Sequence, residues 1–232
     1  MRELNEFNQP IGQRVPNWRP LERPATKPLV GNFCHLEPID INNHSNQLFS
    51  NLSADNSGES WTYLPYGPFP TIVEFEEWLK ETIADRDTLL YAIMDVNNKQ
   101  PIGIAGFLRI NSAHGTIEVG HLHYSTFLRQ SPAATDAMYL MMSYAFDELH
   151  YRRYEWKCHS LNQPSRNAAL RLGFTFEGIF RQCNVFKDRN RDTAWFSVID
   201  SEWPELKEKF KRWLSRDNFD ERGKQKVRLQ DL

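Results

Sequence analysis

The sequence predicts a mixed α+β fold, in which paired strands come before a strand–helix–strand unit. Two strand patterns lie between residues 89 and 110, on either side of two asparagines typical of a hairpin turn. A third strand pattern at 118–124 leads into a helix at 132–149 with one apolar stripe, and a fourth strand pattern follows at 151–158. Together they predict a central mixed, mostly antiparallel sheet flanked by helices.

Length and composition are those of one globular domain with appendages. The chain has 232 residues, of which 40% are hydrophobic and 13% aromatic, enough for one substantial core. We divide it into a proline-rich extended arm at 1–28, a folded domain at 29–203, and a C-terminal helix with a charged tail at 204–232. The formal net charge of -2 argues against the large basic field of a nucleic-acid-binding protein.

Cysteine usage and hydropathy predict a cytoplasmic protein. The three cysteines, Cys34, Cys158 and Cys183, have no metal-ligand spacing, and an odd, sparse count is typical of reduced thiols. The first residues lack an apolar signal region, and no stretch is apolar for long enough to cross a bilayer. We therefore expect neither a membrane nor a nucleic acid as partner.

The N-terminal arm is predicted from its prolines. Five prolines up to Pro28 prevent a helix or a central strand, so the arm should lie extended on the domain. Trp18 and Leu21 are the side chains that could anchor it. A strand pattern at 29–36 then begins the folded domain, and a short helix at 42–52 follows.

An aromatic loop and a helix come next. Residues 61–69 are rich in aromatic side chains and broken by proline and glycine, which predicts a loop. The helix at 71–84 should begin with Thr71 as its N-cap and Glu74 as the capping-box partner. Further on, glycines at 103 and 106 inside a strand pattern predict a bulge or a close backbone approach.

The C-terminal elements read as a helix, a strand pair and a second helix. The helix at 165–172 ends at a glycine typical of a C-cap. Strands at 176–186 and 192–200 should pair antiparallel across a turn at 187–191. An amphipathic helix at 204–214 follows, and we expect the charged tail beyond it to be solvated and mobile.

The turn before the 132–149 helix can bind an anion. Ser131 is a good N-cap residue, Pro132 suits the first helical position, and the small Ala133 and Ala134 let a ligand approach the backbone. N–H groups at a helix start and the helix dipole together attract negative charge. Taken alone, the segment also fits an ordinary helix start.

In its context this turn resembles the acyl-CoA signature of the GNAT superfamily of N-acetyltransferases, Arg/Gln-x-x-Gly-x-Gly/Ala. Arg129 and Ala134 match the ends of that pattern, and Pro132 replaces the middle glycine, which removes one N–H donor. Asn162 and Ser165, followed by Leu-Gly-Phe at 172–174, resemble the second acyl-CoA element. The resemblance covers about 29–203 and is greatest to the ribosomal-protein N-terminal acetyltransferase (RimJ/RimL-like) branch.

This resemblance implies a single GNAT fold, with the sheet splayed at the acyl-CoA site. It also implies direct acetyl transfer from acetyl-CoA to a primary amine, either a protein N-terminus or a small-molecule amine, by a monomer or homodimer. Two alternatives stay open. One is an acyl-CoA-binding module without transfer activity, and the other is transfer of another acyl group or transfer to oxygen.

The resemblance also implies which residues hold the cofactor. A backbone N–H in the Leu122-His123-Tyr124 stretch would polarise the thioester carbonyl, and the Asn162 amide would bind the pantetheine arm. The turn amides would bind the pyrophosphate, and Arg166 would contact the adenine end or lie at the surface. These candidates, with the turn itself, are Leu122, His123, Tyr124, Arg129, Gln130, Ser131, Ala133, Ala134, Thr135, Asn162 and Arg166.

Two side chains are candidates for proton transfer. Many GNAT enzymes use a tyrosine acid at the position that Ala169 occupies here. The branch that this sequence resembles often lacks that tyrosine, and the resemblance implies Ser165 as the donor to the leaving thiolate. Helix capping or packing is the alternative role for Ser165. Glu118 is the candidate base for the amine, with a structural hydrogen bond as its alternative.

The acceptor side has aromatic and histidine candidates. Alternation predicts that His121 and His123 share the strand face opposite to Glu118. No third ligand pattern accompanies the two histidines, so we expect no metal. The aromatic loop, with Trp61, Tyr63 and Tyr66, should line the acceptor or cover the sheet; Trp61 should point inward, and Tyr63 or Tyr66 toward the acceptor.

Overall fold

The computed structural model describes residues 3–54 and 57–232. Met1 and Arg2 of the predicted arm therefore lie outside the described residues. The helices are α1 Ile41–Leu52, α2 Ile72–Ala84, α3 Pro132–Ser143, α4 Gln163–Arg171 and α5 Trp203–Trp213. The strands are β1 Glu3–Leu4, β2 Pro10–Ile11, β3 Leu29–Val30, β4 Cys34–Pro38, β5 Leu89–Asp95, β6 Pro101–Asn111, β7 Thr116–Tyr124, β8 Arg153–His159, β9 Thr175–Phe186 and β10 Arg189–Ile199.

Eight strands form one sheet in the order β3-β4-β5-β6-β7-β8-β10-β9, and β1 pairs with β2 separately. Every neighbouring pair is antiparallel except β7 and β8, which run parallel and are joined through α3. A helix between two strands allows this parallel pairing, because the crossover returns the chain to the same end of the sheet. The predicted mixed, mostly antiparallel sheet is confirmed.

Each face of the sheet carries its own apolar core. One core contains Met138 and Met141 of α3, Phe210 of α5 and the side chains of β7 and β8 that point toward them. The other lies under α1 and α2 and includes Leu48 and Phe75. The strand residues of this second core come from β5 and β6, whose side chains alternate between the two layers.

A bulge in β7 changes the alternation that the sequence predicts. Ile104 pairs with His123 and Gly106 pairs with Gly120, so two residues of β7 lie opposite the single residue Ala105 of β6. His121 occupies this bulge with φ 51, in the left-handed region. As a result, the prediction that His121 and His123 face away from Glu118 is wrong, and all three side chains lie on the α1–α2 face.

The parallel pairing of β7 with β8 is short. It begins at Thr116 with Arg153 and ends at Val119 with Trp156. Beyond that pair the C-terminal half of β7 stays on β6 while β8 pairs with β10 as far as His159. The two strands therefore diverge, as the expected splayed sheet requires.

The N-terminal arm is anchored where the sequence predicts. The Trp18 indole donates to the Ala113 carbonyl at 2.8 Å, and the Leu21 N–H donates to the Ser112 carbonyl at 3.0 Å. Both side chains lie over Gly115, where a Cβ would meet the Trp18 ring at 2.7 Å. The division of the chain at residues 28 and 203 stays a prediction.

Two predicted connections are different in the structure. The strand expected at 29–36 is a short hairpin of β3 and β4, because Asp136 of α3 accepts hydrogen bonds from the turn amides of Phe33 and Cys34. The turn expected at 187–191 is shorter. Lys187 and Asp188, with φ 51 and 57, close a two-residue turn, and β10 begins directly afterwards.

The charged tail is packed against the domain, so the prediction of a mobile tail is wrong. The Phe219 ring lies 5.3 Å from that of Phe33 and 5.1 Å from that of Trp213. Leu229 is buried, and the Asn218 side chain exchanges hydrogen bonds with Val227. A few apolar anchors among many charged residues are sufficient to hold the segment.

Replacement of Gly31 tests the contact between Asp136 and the β3–β4 turn. A Cβ at Gly31 would lie 2.9 Å from the Asp136 carboxyl carbon, so Gly31→Ala must displace this buried carboxylate from its two amides. Overpacking of this kind should lower the free energy of unfolding by about 1–3 kcal/mol, measured by urea denaturation. Gly12→Ala, where a Cβ meets nothing within 4 Å, is the control. Equal stability of the two variants would contradict this account.

Candidate active site

The turn before α3 has the geometry of a helix N-cap. The Ser131 hydroxyl donates to the Leu128 carbonyl at 2.7 Å and accepts from the Ala134 N–H at 3.4 Å, which confirms Ser131 as the cap. The Ser131 and Ala134 amides also donate to backbone carbonyls at 3.2 Å. Of the five candidate amides, those of Gln130, Ala133 and Thr135 remain for a ligand.

The turn is fixed to the end of β7. Gln130 has φ 59, a left-handed conformation that reverses the chain just before the cap. The Arg129 Nε donates to the Tyr124 carbonyl at 3.1 Å, so the guanidinium lies beside the turn. The arrangement places a cation, a helix N-terminus and the diverging end of β7 next to one another, which suits a polyanionic ligand.

The start of α4 lies across the divergence, against β8. Asn162 caps this helix, because its side-chain oxygen accepts from the Ser165 N–H at 3.1 Å. The Asn162 Nδ2 group is then the part of the amide that a ligand can use. Arg166 donates to the Ser160 carbonyl at 3.2 Å, and its guanidinium lies 5.6 Å from the Phe176 ring centroid.

Ser165 is held with its oxygen as an acceptor. The Trp156 indole N–H donates to the Ser165 Oγ at 3.1 Å, which leaves the hydroxyl proton to be donated elsewhere. The Cys158 thiol is close by; burial raises its pKa, and a hydrogen bond with Ser165 opposes that rise. Ala169 is fully buried, so the position of the family's tyrosine points into the core.

Glu118 belongs to a chain of ion pairs along the sheet. Its two oxygens lie 2.7 Å from the Arg109 Nη1 and 2.7 Å from the Lys157 Nζ. Lys157 also lies 2.7 Å from Glu155, and only 9% of its side chain is exposed. Burial raises the pKa of Glu118, and Lys157 and Arg109 oppose that rise. The pKa of Glu118 stays above its usual value, because desolvation outweighs the attraction of the two cations.

Sequence reasoning missed the basic members of this cluster. Arg153, Glu155 and Lys157 alternate along β8, and alternation of unlike charges on one strand face was the signal that could have found them. Three basic and three acidic side chains take part: Arg109, Lys157 and Arg153 with Glu118, Glu155 and Glu177.

The aromatic loop packs on the same face of the sheet. Trp61 is buried, as predicted for the inward side chain, and its ring lies 3.9 Å from that of His123. The Tyr66 hydroxyl is 2.9 Å from the His121 Nδ1, and the Tyr63 ring lies 5.3 Å from that of His159. The bulge brings His121 to this loop, so three histidines line the acceptor side.

His121 and His123 each have a hydrogen-bonding neighbour on the acceptor side. His123 Nε2 is 3.1 Å from the Ser60 hydroxyl, and His121 is engaged with Tyr66. In the part of the chain that the structure describes, no group of three or more histidine, cysteine or acidic side chains could hold a metal ion. Nor is any helix in residues 3–54 or 57–232 long and apolar enough to cross a membrane.

Comparison with known proteins identifies the domain. Residues 35–175 match the family model described as the acetyltransferase (GNAT) domain. The chain is 29% identical over 140 residues to the ribosomal-protein-serine acetyltransferase of Escherichia coli K12, which covers 58% of this chain and 78% of that protein.

Solved structures agree with this match. A GCN5-related N-acetyltransferase from Brucella melitensis is 45% identical, with a TM-score of 0.91 over 93% of this chain and 98% of that one. The Microcin C7 self-immunity acetyltransferase MccE, solved in complex with acetyl-CoA and AMP, is 18% identical, with a TM-score of 0.65 over 72% of this chain and 93% of that one. The second likeness concerns the fold alone.

The acceptor side should make stability depend on pH through His121. Burial lowers the pKa of His121 from 6.5 to about 4, so the folded protein binds this proton less readily than the unfolded chain. The resulting stability is fully present above pH 6.5 and is lost as the pH falls toward 4, by about 2–3 kcal/mol. His121→Gln should reduce that loss in urea titrations between these pH values. His114→Gln, at an exposed histidine, should keep the wild-type profile, and identical profiles for both variants would contradict the assignment.

Proposed function

Because this chain belongs to the GNAT acetyltransferase family, we propose that it transfers an acetyl group from acetyl-CoA directly to a primary amine. The observation that carries this proposal is the divergence of β7 from β8 after Val119 and Trp156, beside the N-terminus of α3. A diverging strand pair exposes backbone N–H and C=O groups that an extended chain can use. The pantetheine arm of acetyl-CoA is such a chain.

The cofactor would be held at three places along this path. The amides of Gln130, Ala133 and Thr135 and the Arg129 guanidinium would bind the pyrophosphate at the α3 N-terminus. The Asn162 Nδ2 would donate to the pantetheine arm. Proline at 132 has no N–H and so removes one possible donor to the pyrophosphate. The left-handed conformation of Gln130 reverses the chain there, and the Gln130 N–H is a candidate replacement.

The proposed reaction is a direct displacement. The neutral amine nitrogen attacks the thioester carbonyl carbon, a C–N bond forms, and the C–S bond breaks to release CoA. A backbone N–H of the 122–124 stretch would stabilise the oxyanion, and such donors commonly supply the largest electrostatic contribution. The amine loses one proton, and the departing thiolate takes one. No covalent enzyme intermediate is needed, because the bound amine is positioned to attack the thioester directly.

We assign the proton for the thiolate to Ser165. Its oxygen accepts from Trp156, so its own O–H is oriented away from that indole and can be donated. Ala169 offers no alternative at the position of the family's tyrosine acid. A hydroxyl in this place acts only as the C–S bond breaks, so its contribution belongs to the transition state.

For Glu118 two roles are compatible with its position on the acceptor face. As a base it would take the amine proton, directly or through water. As a structural carboxylate it would hold Arg109 and Lys157, and the ion pairs at 2.7 Å favour this second role. Solvent can accept the amine proton at an open acceptor side, so the reaction does not depend on Glu118 as base.

The acceptor is part of the proposal. Likeness to the ribosomal-protein-serine acetyltransferase supports a protein as acceptor, and we propose that its N-terminal amine reacts. A small-molecule amine is the other candidate, and Trp61, Tyr63 and Tyr66 would line the acceptor site in either case. A non-catalytic acyl-CoA-binding module, or transfer of another acyl group or to oxygen, are the alternatives. A cytoplasmic location and a monomeric or homodimeric state complete the proposal.

A screen of amine and hydroxyl acceptors against acetyl-CoA, read as release of free thiol, tests the function. Acceptor-dependent release with a primary amine, and the acetylated amine found by mass spectrometry, is the expected result. Longer acyl-CoA donors and hydroxyl acceptors run in parallel, and release only with these would select the corresponding alternative. If the protein binds CoA but no acceptor in the screen causes thiol release, the non-catalytic acyl-CoA-binding module is the remaining alternative.

A negative charge at the α3 N-terminus should weaken binding of the pyrophosphate end of the cofactor and not of its pantetheine end. Ala134→Asp places a carboxylate where the pyrophosphate would bind, so the CoA dissociation constant should rise by about tenfold or more, equivalent to about 1.4 kcal/mol. Pantetheine lacks the pyrophosphate, and its weaker binding should not change. Ala113→Asp, on the exposed β6–β7 turn, adds the same charge as a control in calorimetric titrations. Equal loss of both ligands would mean that the site is misplaced.

Ser165 and Glu118 can be separated by kinetics with the acceptor found in the screen. Ser165→Ala should lower kcat by about a hundredfold and leave the CoA dissociation constant unchanged, and Ser165→Thr should restore part of the rate. Glu118→Gln should lower stability more than kcat; a flattened low-pH limb of kcat/KM would instead establish it as the base. Near wild-type turnover in Ser165→Ala would remove the proposed donor.

A further inference from the structure

Arg191 is placed on the acceptor face by the short turn before β10. The chain reverses at Lys187 and Asp188, so Arg191 is a strand residue paired with Asn184 and not part of a loop. The pairing is irregular between Arg191 and Thr193, but the extra residues lie in β9, from Phe180 to Asn184. Side chains therefore still alternate along β10, and Arg191 lies on the same face as Thr193 and Trp195. Trp195 marks that face as the acceptor side, because the Lys157 ammonium lies 3.8 Å from its ring centroid.

The neighbours of Arg191 belong to the acceptor wall. Thr193, two residues further along β10, pairs with His159, and the His159 ring contacts that of Tyr63. At the hairpin tip, the Lys187 ammonium donates to the Trp61 carbonyl at 2.9 Å, which ties the β9–β10 hairpin to the aromatic loop. The hairpin and the loop therefore enclose the same space from two sides.

Among the described residues, Arg191 makes no ion pair. Its guanidinium is half-buried and lies 4.8 Å from the Phe186 ring centroid, and the buried Nε has no hydrogen-bond partner. Burial lowers the pKa of Arg191, which the nearby Cys158 and Glu118 only partly offset. A planar guanidinium that is desolvated without a carboxylate carries an energetic cost that a bound anion would remove.

The three carboxylates of the ion-pair cluster already have cations as partners. Glu118 is shared by Arg109 and Lys157, and Arg153 holds the remaining two acidic groups, Glu155 and Glu177. Three cations and three carboxylates balance in this cluster. The positive charge of Arg191 is therefore additional, and it faces the space where an acceptor would lie.

We propose that Arg191 binds an anionic group of the acceptor, so that the substrate is a primary amine that also carries a carboxylate or a phosphate. The proposal rests on the proposed function, because it names the acceptor class of the same site. A guanidinium can bind either anion through two parallel hydrogen bonds, and Phe186 keeps its plane oriented. Such a contact fixes the distance from the anion to the amine, and so selects the acceptor.

Matched probe pairs test this inference. Alanine with alaninamide and glycylglycine with glycylglycinamide differ in a carboxylate. Phosphoethanolamine with ethanolamine differs in a phosphate, so the pairs distinguish the two anions. Binding to the CoA-loaded protein is measured by calorimetry, and acetylation by thiol release. In at least one pair the wild type should bind and acetylate the anionic member about tenfold or more better than the neutral one.

Substitutions assign the preference to Arg191. Arg191→Gln should abolish the preference by raising KM and the dissociation constant of the anionic probe, with the neutral probe and the CoA affinity unchanged. Arg191→Lys should restore part of it. Arg189→Gln, at an exposed arginine of the same strand, should behave as wild type.

Three outcomes would overturn the inference: equal binding within every pair, a preference that survives Arg191→Gln, or a loss of CoA affinity in that variant. Failure of the proposed function is distinguishable, because it removes thiol release with every probe and leaves the binding arm intact. Anion-dependent binding lost in Arg191→Gln supports the inference whether or not the probe is acetylated.

Discussion

The parallel pairing of β7 with β8 stops at Val119 and Trp156, and the rest of the site depends on that stop. Up to this pair the sheet is continuous, with an apolar layer on the α3 face and the ion pairs of Glu118 and Glu155 on the other face. Beyond it β7 stays with β6, β8 stays with β10, and two strand ends point apart with the α3 N-terminus next to one and α4 next to the other. A bulge at His121 adds a local twist to β7 just beyond this pair.

The divergence separates two kinds of chemistry. On the α3 side the groups are backbone amides, a helix dipole and the Arg129 guanidinium, which suit a polyanion and need few specific side chains. On the α1–α2 side the groups are side chains: aromatic rings, His121, whose pKa burial lowers to about 4, and a balanced cluster of ion pairs around Glu118 and Lys157. Arg191 is the additional charge on that second side. The cofactor side is therefore general, and the acceptor side is where this chain acquires its selectivity.

Much of the fold and of the cofactor side could be predicted because those signals are local. The Ser131 cap, the Thr71 cap and the glycine that ends α4 are each specified by a few neighbouring residues, and the structure confirms all three. The anchors of the arm, Trp18 and Leu21, were also predictable, since large apolar side chains in a proline-rich segment need a surface to cover. The prediction of a mobile tail was wrong, because the few apolar residues that anchor the tail are outnumbered in the sequence by charged residues that stay in solvent.

The sequence by itself determined the order of elements, the mixed sheet, the membership of the GNAT family and the N-cap that the cofactor would use, because periodicity, caps and turns act over short stretches of chain. Only the tertiary structure decided which side chains share the acceptor face. The bulge moved His121 to the side of Glu118, and strand pairing brought Lys157 to that carboxylate from another part of the chain. A two-residue turn placed Arg191 in a strand rather than a loop. Register and bulges depend on contacts between distant segments, so no local pattern could have specified them.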